Sequence, residues 1–404
     1  MKLKKFVVIY CYGLDWEIDY QKINDAWREL AKGISKKTHL VFFNIFSSPK
    51  TIFTVLKSKQ ERKKFVNFLT SWQSSALIFY PLALFPFQRF KIIQKINYKL
   101  MYFFLQWLAK FWSRKKKVII WLTGPNTFLL GHLNQDNFFL YDCTDQHCNM
   151  TDKIADKKIK KQEREIIRKS SLTVVNSPSL YQEKVKYSSK VFQVPAGFPL
   201  KFFLNYKKES KSKELDNIPR PIIGYTGAIS FRLDFSLLEK IIKRCSDFSF
   251  VFIGFILKSR IVPPHQNMDK KVNFSLCWKK LQNYQNFYFL GPKPRRLLPS
   301  FIDCFDVGFI PYDIKQEFNK MSNPIKVYEY LALGKPVVST KISSLDKFSD
   351  NIYFINSLQE FQNSLKIILK NKVSFREKQA KVKIAQGNSI NAKLETIEDY
   401  LIRF

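Results

Sequence analysis

The fold of this 404-residue chain is decided by the stretch SNPIKVYEYLALGKPVVST, which spans residues 322–340. Its residues predict a short helix with both ends marked, followed by a buried strand. Ser322 or Asn323 can cap the helix, and Pro324 suits its first turn. Gly334 supplies the left-handed residue that ends it. A marked helix that leads directly into a buried strand is typical of an α/β fold.

The first turns of that helix carry side chains suited to a nucleoside diphosphate. A helix N-terminus attracts phosphate through its free amides and its dipole. Lys326 lies in the first turn, and Glu329 follows three residues later on the same face. We expect the lysine to meet the phosphates and the carboxylate to accept both ribose hydroxyls.

The stretch resembles the donor-binding motif of GT-B glycosyltransferases, roughly Pro-x-Lys-x-Tyr-Glu-Tyr-Leu-Ala-x-Gly-Lys-Pro-Val-Val. The likeness is to the group 1, family 4-like bacterial enzymes of polysaccharide assembly, including those of the teichuronic acid type. The resemblance adds Tyr328 to the expected donor site. One position departs from the family pattern, because Met321 stands where many relatives carry a second Glu, eight residues before Glu329.

A second phosphate-binding loop is predicted about 100 residues earlier. A buried strand ends there at Gly227, which has no side chain, and Ala228, which has only a methyl group. The backbone amides therefore stay accessible to phosphate oxygens. Arg232 could add positive charge at the pyrophosphate, or it could be an ordinary exposed loop residue. In GT-B relatives the loop corresponding to residues 291–298 lines the nucleotide base through backbone groups.

Two carboxylates follow a predicted strand of the first half, where ligands of parallel sheets collect. The stretch from Tyr141 to Asp145, which contains Asp142, resembles the Tyr-Asp-x-x-Asp segment of polysaccharide-assembly GT-B enzymes. The two carboxylates are candidates for a base or for orienting the acceptor hydroxyl. Asp145 is the first choice, since Asp142 could merely cap the turn. His132 is a further cleft-side candidate, with a structural role as the alternative.

Apolar runs rich in Val, Ile and Phe alternate with helical segments in both halves of the chain, as expected for parallel strands buried on both faces. The predicted fold is α/β, with two Rossmann-like doubly wound domains facing a cleft, as in GT-B. Residues 1–198 form the expected acceptor-side domain, 199–219 a linker, and 220–380 the nucleotide-sugar domain. The residues from about 380 to the end are predicted to form a helix. The resemblance implies that this terminal helix, residues 381–404, packs back on the first domain.

The net charge of +35, from 68 basic and 33 acidic residues, indicates a negatively charged partner, although part of it could be compositional bias. No nucleic-acid-binding motif is present, so nucleic acid is not the expected partner. Residues 89–117 contain nine Lys or Arg, eight aromatics and no acid. This pattern, with a polar stripe that includes Lys99 and Gln106, suits a helix on an anionic membrane surface. An ordinary core helix whose lysines reach water is the alternative.

Six scattered cysteines and the lack of a secretory signal favour a reducing cytoplasm. No apolar stretch is long enough to span a bilayer, so we expect a peripheral protein on the inner face of the cell membrane. Cys143, His147 and Cys148 lie close together without a second ligand pair, so no metal site is predicted there. The sequence has no Asp-x-Asp metal motif, and we expect neither a metal nor a cofactor.

The resemblance implies a metal-independent, retaining, hexosyl-type glycosyltransferase. The donor would be a UDP- or GDP-linked sugar, and the acceptor a glycan or lipid-linked hydroxyl in cell-surface polysaccharide assembly. Two alternatives remain open. One is a GT-B-fold sugar-nucleotide epimerase, which should need more acids in the first domain. The other is a non-catalytic basic protein that binds membrane or nucleic acid.

Overall fold

The computed structural model describes residues 3–12, 25–44, 76–79, 91–113, 117–124, 137–147, 153–207, 212–256, 274–371 and 373–403. These residues form two parallel sheets, one in each half of the chain, flanked by helices. The predicted α/β architecture is therefore confirmed.

The first sheet has seven parallel strands. They are β1 (Phe6–Tyr12), β2 (His39–Asn44), β3 (Ala76–Phe79), β4 (Lys117–Leu122), β5 (Phe138–Cys143), β6 (Leu172–Val175) and β7 (Val191–Gln193). Their order is β3-β2-β1-β4-β5-β6-β7. The accompanying helices are α1 (Asp25–Lys37), α2 (Lys91–Ser113), α3 (Lys153–Lys169) and α4 (Pro178–Lys184).

The second sheet has six parallel strands in the order β10-β9-β8-β11-β12-β13. They are β8 (Ile222–Thr226), β9 (Ser249–Ile253), β10 (Phe287–Phe289), β11 (Val307–Ile310), β12 (Val337–Thr340) and β13 (Ile352–Ile355). The helices are α5 (Lys201–Leu204), α6 (Phe235–Arg244), α7 (Phe274–Gln282), α8 (Leu298–Ile302), α9 (Glu317–Met321), α10 (Ile325–Ala332), α11 (Leu358–Lys370), α12 (Phe375–Gly387) and α13 (Ile390–Ile402). The order reverses between β8 and β11, and ligands of such sheets bind at this switch point.

Strand β1 shows why the apolar runs form buried parallel strands. Phe6, Val8 and Tyr10 pack on one face of the sheet, where helices α1 and α13 lie. Val7 and Ile9 pack on the other face, against helices α2 and α3. Because successive side chains point to opposite faces, a strand covered on both sides must be apolar at every position.

The end of the chain forms two helices, so the prediction of a single helix from about residue 380 was wrong. The chain breaks at Asn388, whose carbonyl oxygen accepts hydrogen bonds from the backbone N–H groups of Gly197 and Phe198. Ser389 then caps α13, since its hydroxyl accepts from the Ala392 N–H. The apolar side of α13 packs on the first sheet, beside Leu30 of α1.

The segment joining the two domains is partly built into the second one. Phe203, Leu215 and Ile218 belong to the hydrophobic core of the second domain. Direct hydrogen bonds then join the two domains at the cleft. The Asn323 amide donates to the Asn176 carbonyl at 2.7 Å.

Helix α2 exposes a row of large apolar side chains. Phe103, Trp107 and Phe111 are exposed by 56%, 58% and 74%. The Trp107 and Phe111 rings stack on each other, with centroids 5.5 Å apart. Tyr102 and Leu105 form the opposite side and are buried in the first domain.

One detail of the predicted polar stripe on α2 is wrong. Gln106 is buried, and its Oε1 accepts a hydrogen bond from the Asn137 amide. Lys99 of the same stripe is exposed. The helix therefore turns an aromatic face outwards. Among the residues that the structure describes, no helix is long and apolar enough to cross a bilayer.

Candidate functional site

A cleft of about 790 Å³ lies between the carboxyl ends of the two sheets. Thr144, Asp145 and Asn176 line it from the first domain, and Lys393 of helix α13 reaches it as well. The second domain contributes Gly227, Ala228, Arg232, Arg295, Lys326 and Glu329. Both phosphate-binding stretches predicted from the sequence therefore face the same cavity.

Helix α10 presents its N-terminus to this cleft. The prediction of a Ser322 or Asn323 cap was wrong, because Pro324 occupies the N-cap position and no described side chain caps the helix. Ser322 instead donates to the Asn319 carbonyl. The first amides of α10 thus have no side-chain cap, which suits an anionic ligand. At the other end Gly334 has φ +70°, as predicted for the helix stop.

The ammonium group of Lys326 lies in the cleft beside the loop that follows β8. It donates to the Tyr312 hydroxyl at 2.5 Å and lies 5.1 Å from the centroid of the Tyr225 ring. A Cβ built on Gly227 would approach Lys326 Cε to 2.8 Å. The loop and the helix therefore form one surface, with a cation where the diphosphate is expected.

Arg232 is held in place and is not a free loop residue. Its guanidinium carbon lies 4.5 Å from the Tyr312 ring centroid and 4.7 Å from that of Phe318. Its Nε donates to Asn319 Oδ1 at 3.0 Å. The two ring contacts and the hydrogen bond hold the Arg232 guanidinium in one orientation. Two positioned cations, Arg232 and Lys326, thus line the same wall of the cleft.

Tyr312 lies between those two cations. Burial alone would raise the pKa of its phenol. The charges of Arg232 and Lys326, together with hydrogen bonding to Lys326 and Tyr225, outweigh burial, and the pKa of Tyr312 is lowered from its ordinary value. The wall is therefore positive enough to favour an anion, and a diphosphate would experience the same field.

Glu329 lies nearly buried at the inner end of the site. Its Oε1 accepts from Arg295 Nη2 at 2.7 Å, and its Oε2 lies 3.3 Å from the Thr226 hydroxyl. Sequence reasoning had assigned the loop around residue 295 only backbone contacts, and so it missed Arg295. The signal available was the basic run from Lys293 to Arg296, which does not say which side chain turns inwards.

Two other residues of the motif serve the structure around the site. Tyr328 is fully buried, and its hydroxyl donates to Asn323 Oδ1 at 2.8 Å. It therefore supports the residue that bridges to the first domain. Met321, at the position of the missing carboxylate, packs against the core of the first domain, and its carbonyl accepts from the Ser177 hydroxyl.

The candidates of the first domain separate in the structure. Asp145 is half-buried and lines the cleft, whereas Asp142 is fully buried in β5. Asp142 accepts from Lys393 Nζ at 2.8 Å and from the Trp121 indole at 3.3 Å. This arrangement suits an anchor for helix α13. His132 lies outside the described residues.

The environment of Asp145 raises the pKa of its carboxyl. Burial is the main cause, and the positive charge of Arg232 and the proximity of His147 partly oppose it. Asp145 and Arg232 line the same cleft, so the guanidinium charge acts on the Asp145 carboxyl. A carboxylate with a raised pKa at such a place can accept a proton or a hydrogen bond from an acceptor hydroxyl.

Cys143, His147 and Glu163 form the one group of potential metal ligands found among the described residues, with ligand atoms within 4.8 Å of one another. Cys148 lies outside those residues. The carboxylate of the group is already engaged. Lys184 Nζ donates to one oxygen of Glu163 at 2.7 Å, and the Tyr141 hydroxyl donates to the other at 2.8 Å. The group is thus organised as a buried ion pair with its hydrogen-bond donors.

Comparisons with known proteins agree with this architecture. No protein-family model matches the chain. Over 243 residues it is 26% identical to TuaH of Bacillus subtilis, which is named provisionally as a teichuronic acid biosynthesis glycosyltransferase. The match covers 57% of this chain and 57% of TuaH, so the chain spans less than two thirds of that relative.

Solved structures match over nearly the whole chain. HepE of Anabaena, crystallised in complex with UDP, superposes with a TM-score of 0.62 at 11% identity, over 100% of both chains. Sucrose-phosphate synthase of Thermosynechococcus elongatus gives a TM-score of 0.64 at 13% identity, over 98% of both chains. These likenesses confirm the predicted GT-B fold, with two Rossmann-like domains facing a cleft.

Proposed function

We propose that this chain is a glycosyltransferase that transfers a sugar from a UDP-linked donor to a glycan or lipid-linked acceptor in cell-surface polysaccharide assembly. The observation that carries the proposal is the convergence of Lys326, Arg232, Gly227 and Glu329 on one cleft. Support for the uridine nucleotide comes from HepE, whose structure contains UDP. Support for polysaccharide assembly comes from the name of TuaH.

The second domain would bind the donor and stabilise the leaving group. Glu329 would accept the ribose hydroxyls, while Lys326, Arg232 and the N-terminus of α10 would contact the diphosphate. During transfer the bond between the sugar C1 and the diphosphate oxygen breaks, and negative charge grows on the diphosphate. Cations and amides that are already in place stabilise that charge without reorganising.

The first domain would present the acceptor. Its hydroxyl oxygen forms the new bond to C1, and its proton must leave. Asp145 lines the same cleft as Arg232 and Lys326 and is our candidate for orienting this hydroxyl. The cationic wall of the cleft supports metal-independent transfer, since two side-chain cations supply the charge that a metal supplies elsewhere. Retention at the anomeric carbon is proposed from the GT-B resemblance.

Helix α2 would hold the enzyme on the inner face of the membrane. Its outward face carries Phe103, Trp107 and Phe111, and residues 89–117 have nine basic residues and no acid. Aromatic side chains with surrounding cations suit the interface of an anionic bilayer. A lipid-linked acceptor would be anchored in the same surface.

Product analysis with UDP-sugars tests the proposal. The chain is incubated with UDP-glucose, UDP-galactose or UDP-N-acetylglucosamine, with and without an extract of bacterial lipid-linked glycans. We expect UDP release that depends on the extract, together with sugar incorporated into it. A new sugar nucleotide formed without acceptor would instead identify an epimerase. Salt-dependent DNA binding without any nucleotide affinity would favour the non-catalytic alternative.

A further inference from the structure

Arg295 occupies an unusual place at the donor site. It begins the short 3₁₀ turn Arg295–Leu297 and reaches Glu329, with 2.7 Å between Nη2 and Oε1. Only 15% of the Arg295 side chain and 7% of the Glu329 side chain are exposed. Both residues line the cleft. The residue expected to bind ribose is therefore already paired with a guanidinium.

The pair leaves one donor of Arg295 unused. Within the part of the chain that the structure describes, the buried Nε of Arg295 has no hydrogen-bond partner. An arginine that serves only as an ion-pair partner commonly uses its planar fork for two parallel bonds to a carboxylate. A buried donor without an acceptor is costly, so a small turn of this cleft-lining side chain that brought the N–H to a ligand oxygen would recover a hydrogen bond.

Glu329 has matching capacity to spare. A carboxylate offers about four acceptor positions on its two oxygens. Arg295 and Thr226 account for one position on each oxygen. Two positions therefore remain, enough for two hydroxyl groups. A hydroxyl both donates and accepts, so one ribose hydroxyl could donate to Glu329 and accept from Arg295.

We propose that Arg295 is a positioning residue that, together with Glu329, makes this site selective for ribose hydroxyls. The inference rests on the proposed function, which places ribose at Glu329. In this arrangement Arg295 fixes the rotation of the carboxylate, and its Nε receives a hydroxyl oxygen. A deoxyribose would leave an N–H and a carboxylate position unpaired. Sites built around a hydroxyl reject analogues that lack it for this reason.

The test compares UDP with 2′-deoxy-UDP and 3′-deoxy-UDP by isothermal calorimetry. The wild type should prefer UDP over at least one of these analogues by roughly a hundredfold. Arg295→Met should reduce that preference by about tenfold. When Arg295→Met is added to Glu329→Ala, the preference for UDP over the deoxy analogues should not change further, because the two side chains act as one unit.

Matched variants separate this role from general effects. Arg220→Met removes another arginine–carboxylate pair of the same domain, which joins Arg220 to Asp306 away from the cleft lining. It should keep the wild-type preference. Arg295→Lys keeps a cation in the loop but lacks the planar fork, and it should lower the preference in the same direction as Arg295→Met. It serves as the second variant if Arg295→Met does not fold.

The possible results are distinguishable. If folded wild-type protein binds no UDP, the proposed function fails. If the wild type binds UDP and the Arg295 variants weaken UDP and both deoxy analogues by the same factor, the function stands and the role of Arg295 is refuted. A selective loss of the preference for UDP establishes it.

Discussion

Gly227 and Lys326 are almost in contact, although 99 positions separate them in the chain. A Cβ on Gly227 would lie 2.8 Å from Lys326 Cε and 2.9 Å from its Nζ. The backbone of Gly227 also has φ +144°, which L side chains rarely adopt. The close approach lets one phosphate group contact both the loop amides and the ammonium.

Gly227→Ala should therefore weaken UDP binding by roughly tenfold, because the new methyl group displaces Lys326 from the phosphate site. The positive φ of Gly227 should also strain the alanine and lower the melting temperature, so UDP affinity is compared at a temperature where both proteins are folded. Gly387→Ala is the control, since a Cβ there meets nothing within 4 Å. Equal UDP affinity in Gly227→Ala and in the wild type would show that the loop and the lysine do not share a ligand.

Asp145→Asn should lower the transfer rate by about a hundredfold if the carboxylate accepts the acceptor's proton or orients its hydroxyl. The raised pKa of Asp145 also sets a pH dependence. The wild-type rate should fall as the pH drops through that raised pKa, because the protonated carboxyl cannot act as an acceptor. A pH–rate profile of both proteins checks this. If Asp145→Asn shows the same fall in rate at low pH as the wild type, that fall belongs to another group.

The same substitution has a predicted effect on stability. A carboxyl whose pKa is raised by folding binds protons more readily in the folded state. Its contribution to the free energy of unfolding therefore decreases as the pH rises through the folded pKa. At pH 7 Asp145→Asn should melt at the wild-type temperature or above it. A marked loss of stability would mean that Asp145 holds the fold together.

Helix α13 should depend on its buried ion pair with the first domain. Lys393→Met leaves Asp142 as an unpaired buried charge and should cost about 3–5 kcal/mol of unfolding free energy. Lys280→Met, which removes the largely exposed partner of Glu239, should cost far less, because water screens that pair. Urea denaturation of both variants measures the difference, and equal losses would contradict the anchoring role.

The outward face of α2 should bind anionic membranes. Trp107→Ser combined with Phe111→Ser should reduce sedimentation with phosphatidylglycerol vesicles severalfold, because apolar area and aromatic anchors are lost. Phe375→Ser removes a phenylalanine of similar exposure, 77%, from the second domain and should bind like the wild type. Wild-type protein that ignores anionic vesicles would refute the membrane role of this helix.

Local patterns explain which parts of the site the sequence could predict. Lys326 and Glu329 lie within one short helix and Gly334 follows its end, so local spacing determines both the face and the stop. Long-range pairs could not be predicted in this way. Lys393 and Asp142 are 251 residues apart, and Arg295 is 34 residues from Glu329. Such pairs are set by tertiary packing, which local propensity does not encode.

Helix α2 shows a second limit. Its periodicity identified a polar stripe, yet Gln106 of that stripe is buried and the aromatic face is exposed. In a helix that is apolar on most sides, the pattern does not say which side meets the sheet. The bond from Asn137 satisfies the Oε1 of Gln106, the side chain that the prediction had placed in water, whereas its buried Nε2 has no hydrogen-bond partner in the part of the chain that the structure describes.

The most direct test of the account is calorimetric titration of UDP, GDP, ADP and CMP into the purified chain without added metal. We predict saturable binding of UDP in preference to the others. Lys326→Ala and Glu329→Ala should each weaken that binding by roughly ten- to a hundredfold without unfolding the protein, although Glu329→Ala should lower the melting temperature because it leaves Arg295 without its carboxylate. Folded protein that binds none of the four nucleotides, or variants that bind UDP as tightly as the wild type, would contradict the assignment of this cleft as a donor site.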